Sequence, residues 1–262
     1  MRDIRHDSAI TAFQQKRGRD AATFFVPFLI PGMRLLDIGC GPGTITAALA
    51  EIVGTAIGVD IDPDAIASAR QLAAHAGPAR PCFVEADMTA LPFDDDAFDA
   101  VFFHAVLYHQ SQAKLANALA EARRVLRPGG VLGTRDADVG GNILHPELDG
   151  VRLALDLWQR WYEHDDREAL RFGRWQSSVL RAHGFTPVWA GASYVNHSAD
   201  AVSRAEAVAD ARQSLLGLGP QLVGKALATP DEIEAALAGW DAWGRDPDAV
   251  YFRCRCECVA RK

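Results

Sequence analysis

Several ingredients are scarce in this chain. Its 262 residues include only five cysteines, an odd number, and none forms a CxxC pair. Neither a disulfide framework nor a CxxC-type zinc knuckle therefore organises the chain. Cys254, Cys256 and Cys258 alternate, which places them on one face of a strand. They read as small buried hydrophobes in preference to zinc ligands, which usually come from turns, and no metal is expected. Dense Lys/Arg runs are missing and the formal net charge is -7. That excludes a non-specific nucleic-acid binder, which needs a basic footprint. No apolar run is long enough to cross a bilayer. The early stretch Ala21–Ile30 is too short and contains Pro27, and it reads as a helix leading into a strand. The first ten residues, MRDIRHDSAI, carry two aspartates and no apolar signal core. These absences point to a cytoplasmic protein with neither membrane nor nucleic acid as partner.

What is present is ordinary globular material: 49% hydrophobic and 23% charged residues, with 22 Gly and 13 Pro. The length suits one large domain or a domain with a substantial insertion. Up to about residue 137, short apolar runs alternate with helical patterns. The runs are Arg34–Ile38, Ala56–Val59, Cys82–Ala86, Ala100–His104 and Val131–Thr134, and the helices Thr44–Val53, Pro63–Ala76 and Ser111–Leu126. Continuously apolar strands separated by amphipathic helices imply a parallel, doubly wound α/β sheet covered on both faces. Asp62-Pro63 marks a helix start, and Pro128-Gly129-Gly130 a stop followed by a turn into a strand.

The second half changes character. An aromatic-rich segment containing Trp158, Trp161 and Tyr162 is followed by a helix at about 168–183 and an apolar strand from Phe185 to Tyr194. Residues 198–244 read as helical, broken near Gly217–Pro220 and before Pro230. The last strand, Ala249–Ala260, alternates as an antiparallel member near a sheet edge would.

The most informative segment is Leu35-Leu36-Asp37-Ile38-Gly39-Cys40-Gly41-Pro42-Gly43-Thr44, a strand ending in a glycine turn that opens a helix. Ligands bind such sheets at this kind of switch point. A dinucleotide fingerprint would put its third glycine at 44, which is Thr44, and a phosphate-binding P-loop would need a lysine that is absent. Pro42 removes a backbone donor, a loss that harms a diphosphate cradle and leaves a phosphate-free nucleoside unaffected. S-adenosylmethionine is such a nucleoside. Asp37 is placed to anchor either the loop or the ligand's ammonium group. Asp60 closes the next strand, 21 residues after Gly39, and suits the ribose hydroxyls; Asp87, after the third strand, suits the adenine amino group. Each acid alone is an ordinary cap or loop residue, but three at successive strand ends beside this turn form a pattern, and an acidic mouth favours a cationic ligand.

At this point the chain resembles a family, the class I S-adenosylmethionine-dependent methyltransferases, in the branch similar to ubiquinone/menaquinone-biosynthesis methyltransferases. The resemblance rests on LLDIGCGPGTIT (35–46), GVDIDPDAI (58–66), EADMTALPF (85–93), FDAVFFHAVLYH (98–109) and RRVLRPGGVL (123–132). It implies a mostly parallel seven-stranded Rossmann-like sheet with a reversed final hairpin. It also implies a single domain over 1–262: a cofactor core at 20–137, lid-forming insertions at 138–184 and 196–248, and a final antiparallel strand at 249–260. By the same matching, Asp37, Gly39 and Gly41 border the methionine part, Asp60 the ribose, Asp87 and Met88 the adenine, and His104 the rim. Thr44 and Ile61 complete the cofactor-binding set. RDADVGGNILHPELD (135–149) and a W-x-x-W-x-x-x-P-D-A pattern at 240–249 resemble a microbial subgroup acting on small molecules, including secondary metabolites.

Methyl transfer from a sulfonium is an in-line displacement, so the protein chiefly aligns the nucleophile and excludes water. A base is required only for a protonated acceptor. His104, Tyr108, His109 and His145 are the candidates, His104 suiting cofactor contact better than proton transfer and His109 having a cap or gap-filler as its alternative role. For the acceptor, Trp158, Trp161 and Tyr162 share one helical face that serves either as core or as pocket. Phe24 and its neighbour Phe25 are placed to close the other side of the cleft. His145 is a further candidate, and Arg135 either binds an acidic or carbonyl group or pairs with Asp136.

The expected function is methyl transfer from S-adenosylmethionine, with S-adenosylhomocysteine as product, to O, N, S or C of a small organic acceptor. The expected state is a monomer or homodimer. Alternatives are a non-catalytic nucleoside-binding regulator of the same fold, and an aminopropyl transferase, which would need more acids where HAVLYH stands. A nicotinamide dehydrogenase is disfavoured by the glycine spacing.

Overall fold

A computed structural model of the chain describes residues 18–74, 81–162 and 169–262. The N-terminal decapeptide, the end of the helix expected at 63–76 and position 168 lie outside the described residues. The chain forms two compact units. The first comprises residues up to Asp136, Gly173–Gly191 and Cys256–Lys262; the second comprises Ala137–Phe172 and Ala192–Arg255.

The first unit is built on β1 (Arg34–Ile38), β2 (Thr55–Asp60), β3 (Cys82–Glu85), β4 (Phe98–His104) and β5 (Leu126–Ala137). These lie in the order β3-β2-β1-β4-β5, and every neighbouring pair is parallel. β1 is central, so four of its five residues are buried in succession, the signature of a strand covered on both faces. The connecting helices are α1 (Thr44–Val53), α2 (Pro63–Ala74) and α3 (Gln112–Val125). Asp62 caps α2 by accepting from the Asp64 N–H at 2.9 Å, and Ser111 caps α3 through the Lys114 N–H. Ile45, Leu49, Ala50 and Val53 of α1 pack with Phe25, Leu35, Ala100 and Phe102 in one apolar cluster. A doubly wound, mostly parallel α/β sheet is thus what the apolar runs build.

Several local expectations are corrected. Ala21–Ile30 forms two short 3-10 turns, Arg19–Ala22 and Val26–Phe28, in place of a helix entering a strand. Pro128-Gly129-Gly130 lies within β5, because its exposed backbone is held by reciprocal bonds with Lys262 (Gly129 N–H to Lys262 O 3.3 Å, Lys262 N–H to Gly130 O 3.2 Å). The segment expected as one helix at about 168–183 is a 3-10 stretch, Ala169–Trp175, followed by α5 (Gln176–Ala182). The final strand, β8 (Val250–Arg261), is not a sheet edge. It lies between β5 and β7 (Thr186–Asn196), with Val259 and Ala260 fully buried. Its polar positions reflect buried ion pairing as well as solvent. β7 carries the exposed alternation, and Pro187 within it suits a strand with an open side.

The second unit contains β6 (Ile143–His145), antiparallel to the start of β8 (Ile143 opposite Phe252, His145 opposite Val250). This short strand makes eight where seven were expected. Its helices are α4 (Asp149–Tyr162), α6 (Ala201–Gly224) and α7 (Pro230–Arg245). α7 opens with a full capping box between Thr229 and Glu232. The break expected near Gly217–Pro220 does not occur: α6 runs through Pro220. Burial of Leu215, Leu218 and Leu222 on its inner face outweighs the one backbone bond that the proline removes. At the α4–α7 crossing, Gly150 and Gly239 bring the backbones together, and a Cβ on Gly239 would lie 2.5 Å from the Gly150 carbonyl carbon.

Candidate functional site

The site is built from the carboxyl ends of β1 to β5 in the first unit. β1 delivers Asp37, which is 2% exposed and accepts a 2.5 Å hydrogen bond from the Thr46 hydroxyl on α1. The chain then turns through three glycines, all in the left-handed region: Gly39 at φ 75°, Gly41 at 53° and Gly43 at 79°. The Gly39 and Cys40 N–H groups both donate to the Val59 carbonyl, at 2.8 and 3.0 Å, so the turn is sewn to β2. A Cβ on Gly39 would meet Val106 Cγ2 at 2.3 Å, and one on Gly43 would meet the Phe83 ring at 2.5 Å. Gly43 caps α1 with no side-chain hydrogen bond, unlike the caps of α2 and α3.

Asp60 holds this turn in place. Its Oδ2 accepts from the Gly41 N–H at 2.9 Å and its Oδ1 from the Asp62 N–H at 3.0 Å. A third backbone donor, Ile61, also bonds to the carboxylate, which leaves about one of its four lone-pair sites for a further donor. Burial raises the Asp60 carboxyl above the usual range, against the lowering effect of those backbone bonds. Asp37 is pushed up to about 7, chiefly by burial; the Thr46 bond lowers it and the charge of Asp60 raises it further. The Cys40 thiol is pushed far up by burial and by both carboxylates, so it is no nucleophile. Ile61, the residue after Asp60, is a large apolar side chain 39% exposed. At the next strand end, Asp87 Oδ1 accepts from the Thr89 N–H (2.9 Å) and hydroxyl (2.8 Å). Burial raises Asp87, but the Thr89 bonds and the nearby Lys114 outweigh it and hold the carboxyl below its ordinary value.

The arrangement fits a phosphate-free nucleoside with a cationic tail. It has a close-approach glycine turn, a two-oxygen carboxylate beside an exposed apolar side chain, a second carboxylate one strand over, and a buried acid under the turn. A family model described as a methyltransferase domain matches residues 35–130. The "Probable methyltransferase ltbC" of Aspergillus luteorubrus is 30% identical over 95% of this chain and 92% of its own length.

The chain belongs to the S-adenosylmethionine-dependent methyltransferases.

The demethylmenaquinone methyltransferase of Clavibacter sepedonicus is 40% identical over 50% of this chain; there the match spans about half of the relative, 49%. Among solved structures, a phosphoethanolamine N-methyltransferase 2 of Haemonchus contortus, in complex with phosphomonomethylethanolamine and S-adenosylhomocysteine, superposes with a TM-score of 0.55. It is 18% identical, covering 93% of this chain and 53% of that one, and shows the fold alone.

Of the other candidate residues of this methyltransferase, Thr44 opens α1 and Met88 follows Asp87, half-buried. His104 ends β4 and is 7% exposed. Tyr108 and His109 sit in a 3-10 turn, Leu107–His109, with ring centroids 3.7 Å apart. Phe24 joins the apolar cluster on the sheet, its ring 6.1 Å from Phe102 and stacked at 5.8 Å on Trp189. Arg135 is 5% exposed and pairs with Glu257 at 3.0 Å. The remaining candidates belong to the second unit. There Trp161 is fully buried in the core, Trp158 and Tyr162 are half-buried against it, and His145 is exposed on β6. All five cysteines are free thiols.

Thr46, Thr89 and Glu257 were not singled out from the sequence. Thr46 carried a readable signal: it interrupts the apolar stripe Ile45, Leu49, Ala50, Val53, and a polar side chain on a buried stripe requires a buried partner. Glu257 was hidden because a strand read as lying near a sheet edge gives its polar positions to solvent.

Proposed function

We propose that this methyltransferase holds S-adenosylmethionine on the turn 39–43 and passes its methyl group to a small organic acceptor. The observation that carries the reading is the clamp of Asp60 on Gly41, which shapes the turn and sets a carboxylate with spare acceptor capacity at the end of β2, where a ribose hydroxyl would lie. The cofactor supplies a methyl group already activated on a sulfonium. The protein's task is placement. Asp60 accepts the ribose hydroxyls, Ile61 and Met88 flank the adenine, and Asp87 receives its amino group. Asp37 balances the positive charge of the tail, while Gly39, Gly41 and Thr44 border it.

For the acceptor, Tyr108 and His109 are the groups placed to take a proton where the acceptor carries one. Trp158, Tyr162, Trp161, Phe24, Arg135 and His145 were the expected acceptor contacts. Full burial makes Trp161 a core residue of the second unit, in which Trp158, Tyr162 and His145 also lie. The reading keeps the reducing, cytoplasmic setting that free thiols suit.

Isothermal titration with S-adenosylhomocysteine tests the reading. Binding at micromolar strength that is lost in Asp60→Ala supports it. Absence of binding, or equal binding by the variant, rejects it. Incubation with methyl-labelled donor and a panel of acceptors then separates a transferase from a protein that only binds the nucleoside.

A further inference from the structure

Three side chains meet inside the first unit where β4, β5 and β8 lie side by side. His104 is 7% exposed, Arg135 is 5% and Glu257 is 6%. Arg135 Nε donates to Glu257 Oε1 at 3.0 Å, and Arg135 Nη1 lies 3.1 Å from His104 Nε2. A guanidinium has five N–H donors and no acceptor, so the contact with the imidazole has only one polarity: Nε2 accepts. An imidazole whose Nε2 accepts is neutral and carries its proton on Nδ1. The charges of the trio then sum to zero, because the Arg135 cation is matched by the Glu257 carboxylate. Backbone geometry reinforces the arrangement. The Ala105 N–H donates to the Arg135 carbonyl at 2.9 Å, and Ala105 adopts φ 57°, a conformation that a non-glycine residue holds only under local constraint.

We propose that Arg135 is a positioning residue: backed by Glu257, it locks His104 as the neutral Nδ1–H tautomer, so the ring serves the cofactor site as a fixed donor and not as a general base. The effect on the cofactor rests on the reading under Proposed function; the tautomer does not. Two consequences follow from the geometry. Arg135 is not the receptor for an acidic acceptor, since it is buried and two of its nitrogens are committed. His104 adds no positive charge beside a site meant for a cationic ligand, which a protonated imidazole would repel.

The test uses the full chain labelled with 15N at histidine, with His104 signals assigned by their loss in His104→Gln. Long-range proton–nitrogen spectra of the wild type are expected to show a pyridine-like Nε2 and a protonated Nδ1. Arg135→Met/Glu257→Gln removes the donor without stranding a buried carboxylate. It is expected to move the ring to Nε2–H or to the imidazolium, and to weaken S-adenosylhomocysteine binding about tenfold, the equivalent of one hydrogen bond. Arg135→Lys, a donor-only cation of nearly the same reach with Glu257 retained, should keep both the tautomer and the affinity. The proposal is overturned by an Nε2–H or charged ring in the wild type, by an unchanged tautomer in the Met/Gln pair, or by a changed tautomer with unchanged affinity. If the Met/Gln pair does not fold, the wild-type and Arg135→Lys spectra still decide the tautomer; loss of affinity in a folded Arg135→Lys protein that keeps Nδ1–H overturns the proposal. Failure of the wild type to bind S-adenosylhomocysteine would reject the cofactor reading and leave the tautomer to be judged by its own spectrum.

Discussion

The Gly41 N–H donates to Asp60 Oδ2 across 2.9 Å, so the carboxylate that closes β2 holds the turn that follows β1. An acid at a strand end could serve a ligand without touching the protein. Here it first completes the cradle. On the proposed reading the turn and the cofactor share this side chain, and Asp60→Asn should show both effects.

In Asp60→Asn the amide can accept through one oxygen only, so one of the two N–H groups now bound, from Gly41 or Asp62, faces an NH2 group. Binding of S-adenosylhomocysteine should weaken by about a hundredfold or more, from one stranded buried donor and the lost charge-assisted bonds. Titration calorimetry checks this, and affinity within threefold of wild type (about 0.6 kcal/mol) would show that the clamp does not matter.

Asp37 governs the pH dependence. Its carboxyl, at about 7 in the folded chain against an ordinary 3.8, binds its proton more tightly when folded. That contribution to stability is full below about pH 4 and is lost as pH rises through about 7. Asp37→Asn should therefore melt higher than wild type at pH 8, with the gap closing by pH 5. The same variant should bind S-adenosylhomocysteine more weakly, because the ligand's ammonium loses its counter-charge. Wild-type affinity should rise between pH 6 and 8, with proton release on binding measurable in buffers of different ionisation enthalpy. Melting curves that coincide at pH 8 would refute the assignment.

Glycine substitutions separate space from conformation. Gly43→Ala puts a methyl 2.5 Å from the Phe83 ring and 2.9 Å from Ala69 Cβ, at φ +79°. A loss of about 2–4 kcal/mol is expected, from overpacking and left-handed strain together. Gly217, inside α6, has nothing within 4 Å of its Cβ position. Gly217→Ala should stabilise by about 0.5–1 kcal/mol, the helix-propensity difference. Chemical denaturation of both variants reads the contrast directly.

Thiol chemistry gives the cheapest check. Cys82 is exposed, whereas Cys40 is buried and its thiol is driven far up by burial and two carboxylates. Iodoacetamide applied to the native protein should label Cys82 first and leave Cys40 unmodified until the chain unfolds, as peptide mass mapping would show. Early labelling of Cys40 would mean that the turn is not packed as described.

The strands of the parallel sheet were legible because each carries a short run of consecutive apolar residues, which in β1 and β4 are buried in succession. The glycine turn was legible because positive φ at Gly39, Gly41 and Gly43 restricts the residue type at each position. Asp60 could be placed by its distance from that turn. Its hold on Gly41 could not, since a hydrogen bond between two strand ends depends on the register of β1 against β2. The helix through Pro220 was misjudged because local propensity favours a break there, and only packing of Leu215, Leu218 and Leu222 overrides it.

The sequence by itself determined the layered α/β plan and the phosphate-averse turn, since periodicity and glycine or proline chemistry act over a few neighbouring residues. Tertiary structure alone decided that Arg135 meets Glu257, 122 positions away, and that its other arm closes on His104. A buried charge takes whichever partner the strand order brings beside it, and no local pattern records that order.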